Sequence, residues 1–299
     1  MQPHFFSGSL AAVSLSLLAG ACRPSLVELA TPTGGPPEPP TTEPAAATAV
    51  PLATIQASPE FAYAVVWAQG NLEVRQPAGI SSMAVASLPA DQRGLGVSGA
   101  ITLLGSSTWV EIFLPEGGSG WVNGWNLTED VPAQDFCADP RPVDLANRFI
   151  LALQNKDGVQ LAQLASPKRG LIFRYDWWNP EVVFELGELT RFFDDPKVLN
   201  WGVNRDSGLA IEGSFGQVVL PQLEDVFTVA PAFSCNSLPA GNTAQEVVWP
   251  PEYENLNYIA FHRAAPAASS LNWRTWALGI EYVNGQPYLA VLVQYRGEI

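Results

Sequence analysis

The stretch that decides the fold of the C-terminal half is W-R-T-W-A-L-G-I-E-Y-V-N-G-Q-P-Y-L-A-V-L-V-Q-Y, residues 273–295. Two runs rich in aromatic and aliphatic side chains flank the dipeptide Asn284-Gly285. Asn-Gly accepts the two positive φ angles of a type I′ turn, which commonly joins the two strands of a β-hairpin. The sequence therefore predicts strands over 273–283 and 286–295, with Val283 paired to Gln286.

This turn also assigns the faces of the predicted hairpin, because successive residues of a strand point to opposite sides. One face is apolar and is expected to be buried: Trp276, Leu278, Ile280 and Tyr282 against Val293, Val291, Leu289 and Pro287. The other face is smaller and partly polar: Thr275, Ala277, Gly279 and Glu281 against Gln294, Leu292, Ala290 and Tyr288. It is either a solvated surface, which we favour, or the floor of a cavity that holds Glu281 and Tyr288.

Helical patterns come before the hairpin in the chain. Leu145, Phe149 and Leu153 recur at steps of four, and Pro142 suits a first helical turn. Because an Asp157-Gly158 break interrupts the pattern, we expect two helices or one interrupted helix. The remaining expectations are a short strand at 171–173, a helical turn at 187–193 and a helix at 218–227. Helices first and an antiparallel sheet last predict an α+β domain over 137–299, with a curved sheet of the NTF2-like or cystatin-like cone type.

The same domain carries several short stretches that match a known family. They are the run 151–165, the segment 167–174, Asn200-Trp201-Gly202, Asn272-Trp273-Arg274 and the closing 296–299. With them the domain resembles a family of uncharacterised domains found in secreted and lipoprotein-type bacterial proteins. This resemblance implies a location outside the cytoplasm and no particular activity.

Residues 60–131 show a different pattern, in which short apolar alternations are broken at close intervals by Gly, Pro, Ser and Asn. Such spacing indicates a small all-β domain with tight turns. The predicted strands are 64–67, 71–75, 85–88, 96–103, 109–114 and 120–122.

These strands carry a second resemblance. The matching residues are Leu72-Glu73-Val74-Arg75, Gly79, Leu88-Pro89, Trp109-Val110, Ile112, Leu114-Pro115, Gly120-Trp121-Val122 and Trp125-Asn126-Leu127. In order and spacing they resemble a bacterial SH3 (SH3b) domain, a small β-barrel. The resemblance implies a non-catalytic module that binds peptidoglycan or another envelope component. The stretch 91–99 departs from the pattern, since it lacks the usual Val/Ile alternation.

Residues 1–22 read as a signal peptide, because the apolar stretch 10–19 is too short to span a bilayer. Its end, Leu18-Ala19-Gly20-Ala21-Cys22, fits a lipobox, in which the thiol of Cys22 takes a diacylglycerol. Ala19-Gly20-Ala21 also fits ordinary cleavage, which would give a secreted protein. Residues 23–58 are rich in Pro, Thr and Ala and poor in large apolar residues, which predicts a disordered linker to the folded part.

The composition narrows the class of partner. The 299-residue chain has 29 Asp and Glu against 15 Lys and Arg, a net charge of −14. Such an acidic chain does not bind nucleic acid through phosphate contacts, and its attachment to a membrane would depend on the lipid at Cys22.

Few residues could perform chemistry. His262 is the one histidine beyond the signal peptide, and no metal-ligand spacing occurs, so we expect no metal and no cofactor. His262, Glu281 and Tyr288 are the candidates for a general acid/base group in the C-terminal domain. We favour a structural role for the histidine, so the acid/base pocket of an envelope enzyme stays the alternative to a binding protein.

Two further sets of residues are candidates for structure or recognition. Cys137 and Cys235 are expected to form a disulfide if the chain is exported. Four tryptophans are candidates for ligand contacts: Trp67 and Trp125 near strand ends, and the adjacent pair Trp177 and Trp178. The sequence thus predicts an extracytoplasmic, lipid-anchored envelope protein that binds a cell-wall polymer or an envelope protein.

Overall fold

A computed structural model describes residues 57–229, 231–243 and 246–297. The predicted signal peptide, the predicted lipobox with Cys22 and nearly all of the predicted linker lie outside these residues. Below, the N-terminal half means residues 57–131 and the C-terminal half means residues 132–297. Among the described residues, no helix has both the length and the apolar character needed to cross a bilayer.

The N-terminal half contains seven short strands and a 3-10 turn. They are β1 Tyr63–Val65, β2 Leu72–Gln76, β3 Met83–Leu88, β4 Val97–Leu104, β5 Ser107–Phe113, β6 Ser119–Asn123, the 3-10 turn Gly124–Asn126 and β7 Leu127–Glu129. Each of the six predicted strands has a counterpart within about two residues, whereas β7 was not predicted. Five strands form an antiparallel sheet in the order β3-β2-β6-β5-β4, and β1 pairs with β7.

Within residues 57–131, the expected barrel is not closed by hydrogen bonds. No ladder joins the two edge strands β3 and β4 in the described part of the chain. Leu95, just before β4, instead bonds in both directions to Tyr63 of β1, at 2.8 Å each. The pairing of β4 with β5 also shifts register between Val97 and Ile101, which bends the strand away from a regular ladder.

The C-terminal half is α+β. Its helices are α1 Ala133–Ala138, α2 Arg141–Asn155, α3 Gly158–Leu164, α4 Leu186–Leu189, α5 Phe215–Val218 and α6 Leu220–Phe227. Its strands are β8 Leu171–Arg174, β9 Val182–Phe184, β10 Leu199–Val203, β11 Ala210–Gly213, β12 Ala232–Cys235, β13 Asn257–Arg263, β14 Arg274–Val283 and β15 Gln286–Arg296. A 3-10 turn lies at Pro251–Tyr253.

The predicted interruption in the helical stretch is present. Helix α2 ends where Lys156 adopts a left-handed conformation with φ of 51°. Helix α3 begins directly afterwards, because the Asp157 side chain accepts a hydrogen bond from the backbone N–H of Gln160 at 2.9 Å. The chain therefore forms two helices, and the apolar residues of both face the sheet.

The main sheet has six strands in the order β12-β13-β14-β15-β8-β9. All of its pairs are antiparallel except β15 with β8, which is parallel. The predicted antiparallel sheet is therefore mixed, because α3 and the loop after it return the chain alongside β15 in the same direction. The shorter strands β10 and β11 form a separate pair.

The β14–β15 hairpin has the predicted turn and, for its first half, the predicted register. Val283 pairs with Gln286, and Ile280 pairs with Leu289. A bulge then shifts the register, so that Gly279 pairs with Val291 rather than Ala290. The bulge moves Leu292 onto the helix-covered face and Val291 and Val293 onto the other one, against the prediction.

Both faces of the sheet are buried, so the expectation of a solvated second face is wrong. Helices α2, α3 and α6 cover one face. The second face packs against Trp67 of the N-terminal half and against Tyr253 and Leu256 of the C-terminal half. Asn255, which is 6% exposed, donates from Nδ2 to the carbonyl oxygen of Val65 at 2.8 Å. The described residues thus lie in one compact unit, with the two halves joined across this face.

Candidate functional site

The loop between α3 and β8, Ser166-Pro167-Lys168-Arg169-Gly170, brings two cations to the junction of the halves. Ser166 Oγ accepts from the backbone N–H groups of Lys168 at 3.1 Å and Arg169 at 3.0 Å, which folds the loop tightly. Gly170 has φ of 69°, and a Cβ at this position would lie 2.0 Å from the carbonyl oxygen of Phe184. Glycine is therefore required for the loop to pass this close to β9.

Arg169 is the central contact of the junction. Its side chain is 0% exposed, and Nε donates to Glu281 Oε2 at 3.0 Å. The guanidinium lies 4.0 Å from the ring centroid of Trp67 and 4.8 Å from that of Trp125. It also donates to the carbonyl oxygens of Trp125 at 2.5 Å and Leu127 at 2.9 Å. One side chain of the C-terminal half thus uses charge, aromatic contacts and hydrogen bonds to hold the N-terminal half.

Glu281 is buried as the partner of Arg169. Its side chain is 1% exposed, and its second oxygen accepts a hydrogen bond from Ser166 Oγ. A buried carboxylate is tolerated only where it is paired and hydrogen-bonded, and both conditions are met. Glu281 therefore has a structural role at the junction and also forms part of the wall of an adjoining cleft.

Trp67 and Trp125, two of the predicted ligand contacts, both pack against Arg169, and of the two Trp125 also lines the adjoining cleft. Trp67 is 9% exposed, donates from Nε1 to Glu181 at 3.0 Å and lies 4.9 Å from the ring of Tyr253. Its ring is covered by Arg169, so it anchors the junction and is closed to a ligand. Trp125 is half-buried, and besides contacting Arg169 it lines the cleft. The sequence could not reveal this, because Arg169 lies far from both tryptophans in the chain.

This cleft, of about 430 Å³, lies between the two halves. Its walls combine aromatic and polar side chains, namely Tyr63, Thr108, Asn123, Trp125, Thr128, Glu129, Lys168, Glu281 and Tyr282. A mainly apolar or aromatic wall with a few convergent polar groups is typical of small-molecule sites, and the volume falls in their usual range. We refer to it as the junction cleft.

Three groups of the junction cleft retain capacity to interact with a ligand. Lys168 is half-buried, donates from Nζ to the carbonyl oxygen of Leu127, and forms no ion pair with a carboxylate of the described residues. Burial, followed by the charge of Arg169, holds the pKa of Lys168 well below its ordinary value. Thr128 Oγ1 is buried and has no hydrogen-bond partner among the described residues.

Glu129 is the third such group. Its carboxylate accepts from the backbone N–H groups of Asn284 at 2.5 Å and Gly285 at 2.9 Å, so it holds the hairpin turn. Burial nevertheless raises the pKa of Glu129, and the charge of Glu281 contributes to that shift. Tyr63 pairs with Glu129 across the β1–β7 ladder, and burial raises the pKa of this phenol to about 12, so it stays neutral.

The predicted acid/base group is not assembled. His262 pairs with Thr275 in the sheet, and its Nδ1 lies 2.8 Å from Thr275 Oγ1. Glu281 lies six residues beyond Thr275 in β14, which places it roughly 20 Å from His262. Tyr288 pairs with Glu281 in the hairpin and is half-buried. The alternative of an enzyme that uses these three residues together is therefore not supported.

The other sequence candidates lie away from the junction cleft. Trp177 and Trp178 are half-buried, and the guanidinium of Arg205 lies 5.4 Å from the ring centroid of Trp178. The cavity next to Trp177 is about 10 Å³, which is too small for a sugar ring. A disulfide joins Cys137 and Cys235, whose Cα atoms are 5.8 Å apart, in the pairing expected from the sequence.

Sequence reasoning singled out Trp125 and Glu281 of the junction cleft and missed its other polar residues, among them Thr128, Glu129 and Lys168. The main indication of the cleft in the sequence is the adjacent pair Lys168-Arg169, which follows a predicted helix in a chain with few basic residues. In the part of the chain that the structure describes, no group of three or more His, Cys, Asp or Glu residues could hold a metal ion.

No protein-family model, curated protein or solved structure matches this chain.

Proposed function

We propose that this protein is an exported cell-envelope protein, anchored by lipid at Cys22, that binds a fragment of the cell-wall polymer in the junction cleft. The small, signal-like N-terminus and the Pro-rich linker support export and tethering. In this proposal the binding is non-covalent, and the ligand site is the cleft rather than an exposed tryptophan groove.

The proposal includes an SH3b-like N-terminal half and an NTF2-like C-terminal half. Five antiparallel strands and the β1–β7 pair support the first assignment. Helices packed on one face of a long-stranded sheet support the second. In this view the face of the SH3b-like half that carries Trp67 contacts the partner half of the same chain, and the ligand-binding surface is the remaining cleft.

The observation that carries the proposal is the combination of unused polar groups with an aromatic wall in the junction cleft. Thr128 offers a buried hydroxyl that has no hydrogen-bond partner in the part of the chain that the structure describes, and Lys168 has donor capacity beyond its bond to Leu127. Trp125 supplies an aromatic face of the kind that stacks on sugar rings. Lys168 can donate a hydrogen bond to a ligand, and Glu129 offers a second polar contact in the same cleft. A saccharide with a short peptide, as in peptidoglycan, has all of these features.

The test uses the full chain expressed with its leader in a bacterial host. Intact-mass analysis and membrane fractionation should show a diacylglyceryl group on Cys22, and a Cys22→Ser variant should lose it. The detergent-solubilised protein should then co-sediment with purified peptidoglycan. An unlipidated species in the medium would contradict the anchor, and failure to co-sediment would contradict the ligand class.

A further inference from the structure

Lys168 has an unusual position for a lysine. It lines the junction cleft, half-buried, on a loop whose backbone is fixed by Ser166. Its amine donates to the carbonyl oxygen of Leu127 and has no ion-pair partner among the described residues. Lysine side chains more often extend into water, as those of Lys156 and Lys197 do in this chain.

The nearby carboxylates are held by other groups. Glu281 is bonded to Arg169 and Ser166, and Glu129 is bonded to the hairpin turn. Arg169 donates to the same carbonyl oxygen of Leu127 that Lys168 contacts. A permanent guanidinium charge therefore lies beside the amine, and this like charge adds to burial in disfavouring the ammonium form.

A lysine amine whose unprotonated form is favoured is a nucleophile for carbonyl compounds, since the free amine and not the ammonium ion attacks. The cleft also contains an acid for the second stage of such a reaction. Burial raises the pKa of Glu129, which favours its protonated form relative to an ordinary glutamate. Lysine nucleophile, carboxylic acid and a cleft of about 430 Å³ thus occur together.

We propose that Lys168 is a nucleophilic residue that captures a small aldehyde or ketone in the junction cleft as an imine. The amine adds to the carbonyl carbon as the carbon–oxygen double bond becomes single, and a proton passes from the nitrogen to that oxygen to give a carbinolamine. Glu129 then donates a proton to the departing hydroxyl, and water leaves as the carbon–nitrogen double bond forms. The nitrogen finally loses its remaining proton to the Glu129 carboxylate, which gives the imine. No electrons are gained or lost, and the step is reversed by hydrolysis. This activity is separate from the binding of cell-wall polymer proposed above.

The experiment traps the imine with sodium cyanoborohydride, using glycolaldehyde as the probe at limiting concentration near neutral pH. Peptide mapping of the full chain then compares modification at its three lysines, Lys156, Lys168 and Lys197. We expect Lys168 to acquire a hydroxyethyl group faster than either exposed lysine, because its lowered pKa leaves a larger fraction of the amine unprotonated near neutral pH. Modification of Lys168 at the same rate as the other two, or more slowly, would overturn the proposal.

Two variants separate the chemistry from mere accessibility. A Ser106→Trp variant places a large side chain at the mouth of the cleft, from an exposed turn position, and should suppress labelling of Lys168 alone. Its control, Ser269→Trp, alters an exposed residue outside the cleft lining and should leave labelling unchanged. A Glu129→Gln variant that retains a normal melting temperature should label Lys168 several-fold more slowly and lose the alkaline limb of the pH–rate profile, which is the fall in rate that follows deprotonation of Glu129. An unchanged rate and profile in that variant would overturn the role of Glu129.

Discussion

Replacement of Arg169 by methionine tests whether one buried side chain holds the two halves together. Methionine keeps much of the length of the aliphatic stem and removes the charge, the contacts over Trp67 and Trp125, and every guanidinium hydrogen bond. Glu281, which is 1% exposed, would keep Ser166 as a partner and would lose its counter-charge. The carbonyl oxygen of Trp125 would lose its Arg169 donor, whereas that of Leu127 would keep Lys168.

The expected cost follows from these losses. Removing one partner of a buried ion pair typically costs about 3–5 kcal/mol. A buried carbonyl group that loses its donor adds about 1–3 kcal/mol. Because such terms are not additive, we expect Arg169→Met to lower the free energy of unfolding by about 4–6 kcal/mol. The double variant Arg169→Met/Glu281→Met no longer buries an unpaired carboxylate, so it should recover at least about 2 kcal/mol relative to the single variant.

The assay is equilibrium urea unfolding followed by tryptophan fluorescence, to which Trp67 and Trp125 contribute from the junction. Arg191→Met is the matched control, because Arg191 is exposed and its loss should change stability by less than about 0.5 kcal/mol. A cost of about 1 kcal/mol or less for Arg169→Met would refute the reasoning. A double variant less stable than Arg169→Met alone would refute it as well.

Further predictions concern the disulfide, one acidic side chain and one glycine. The disulfide closes a sequence separation of 98 residues, so reduction or Cys137→Ser/Cys235→Ser should cost about 4–5 kcal/mol in urea unfolding; a change below about 1 kcal/mol would contradict this. The Arg141 side chain holds the pKa of Asp139 at about 2, below its ordinary value of 3.8. Its stabilisation is therefore present above pH 4 and is lost as the pH falls through about 2. Asp139→Asn should therefore lower the free energy of unfolding by about 1–2 kcal/mol at pH 7, since Arg141 is half-exposed and water screens part of its charge. The loss should be smaller at pH 3, and a pH-independent loss would argue against the ion pair. Gly170→Ala should cost more than about 2 kcal/mol in thermal unfolding, since it combines a left-handed φ with overlap on the Phe184 carbonyl, and a melting temperature equal to that of the parent would contradict the tight loop.

Local patterns account for the elements that could be predicted from the sequence. Asn284-Gly285 determines a turn through its own backbone preferences, and the helical spacing of Leu145, Phe149 and Leu153 is equally local. The bulge beside Gly279 could not be predicted this way, since the facing run 289–293 is apolar throughout and does not mark where the faces exchange. Strand β8 was expected as a strand, but its parallel pairing with β15 depends on how α3 returns the chain.

The junction cleft was beyond sequence reasoning for a related reason. Tyr63, Glu129, Lys168 and Glu281 are widely separated in the chain, and only the packing of the two halves brings them to one cleft. The strand alternation places Glu281 on the partly polar face as a candidate site residue, yet its partner Arg169 lies 112 residues away in the chain. The positions of Trp67 and Trp125 near strand ends make them candidates for ligand contacts. The Arg169 guanidinium that covers Trp67 could not be predicted from the sequence.

The most direct test of the central claim, that the junction cleft is the ligand site, is calorimetric titration of the full chain with muropeptides released from peptidoglycan. The parent protein and the Ser269→Trp control should bind with equal affinity. The Ser106→Trp variant, with the cleft mouth filled, should bind at least about tenfold more weakly, a loss of about 1.4 kcal/mol or more. Equal binding by all three proteins would place the ligand elsewhere, and no binding by the parent protein would contradict the proposed ligand class.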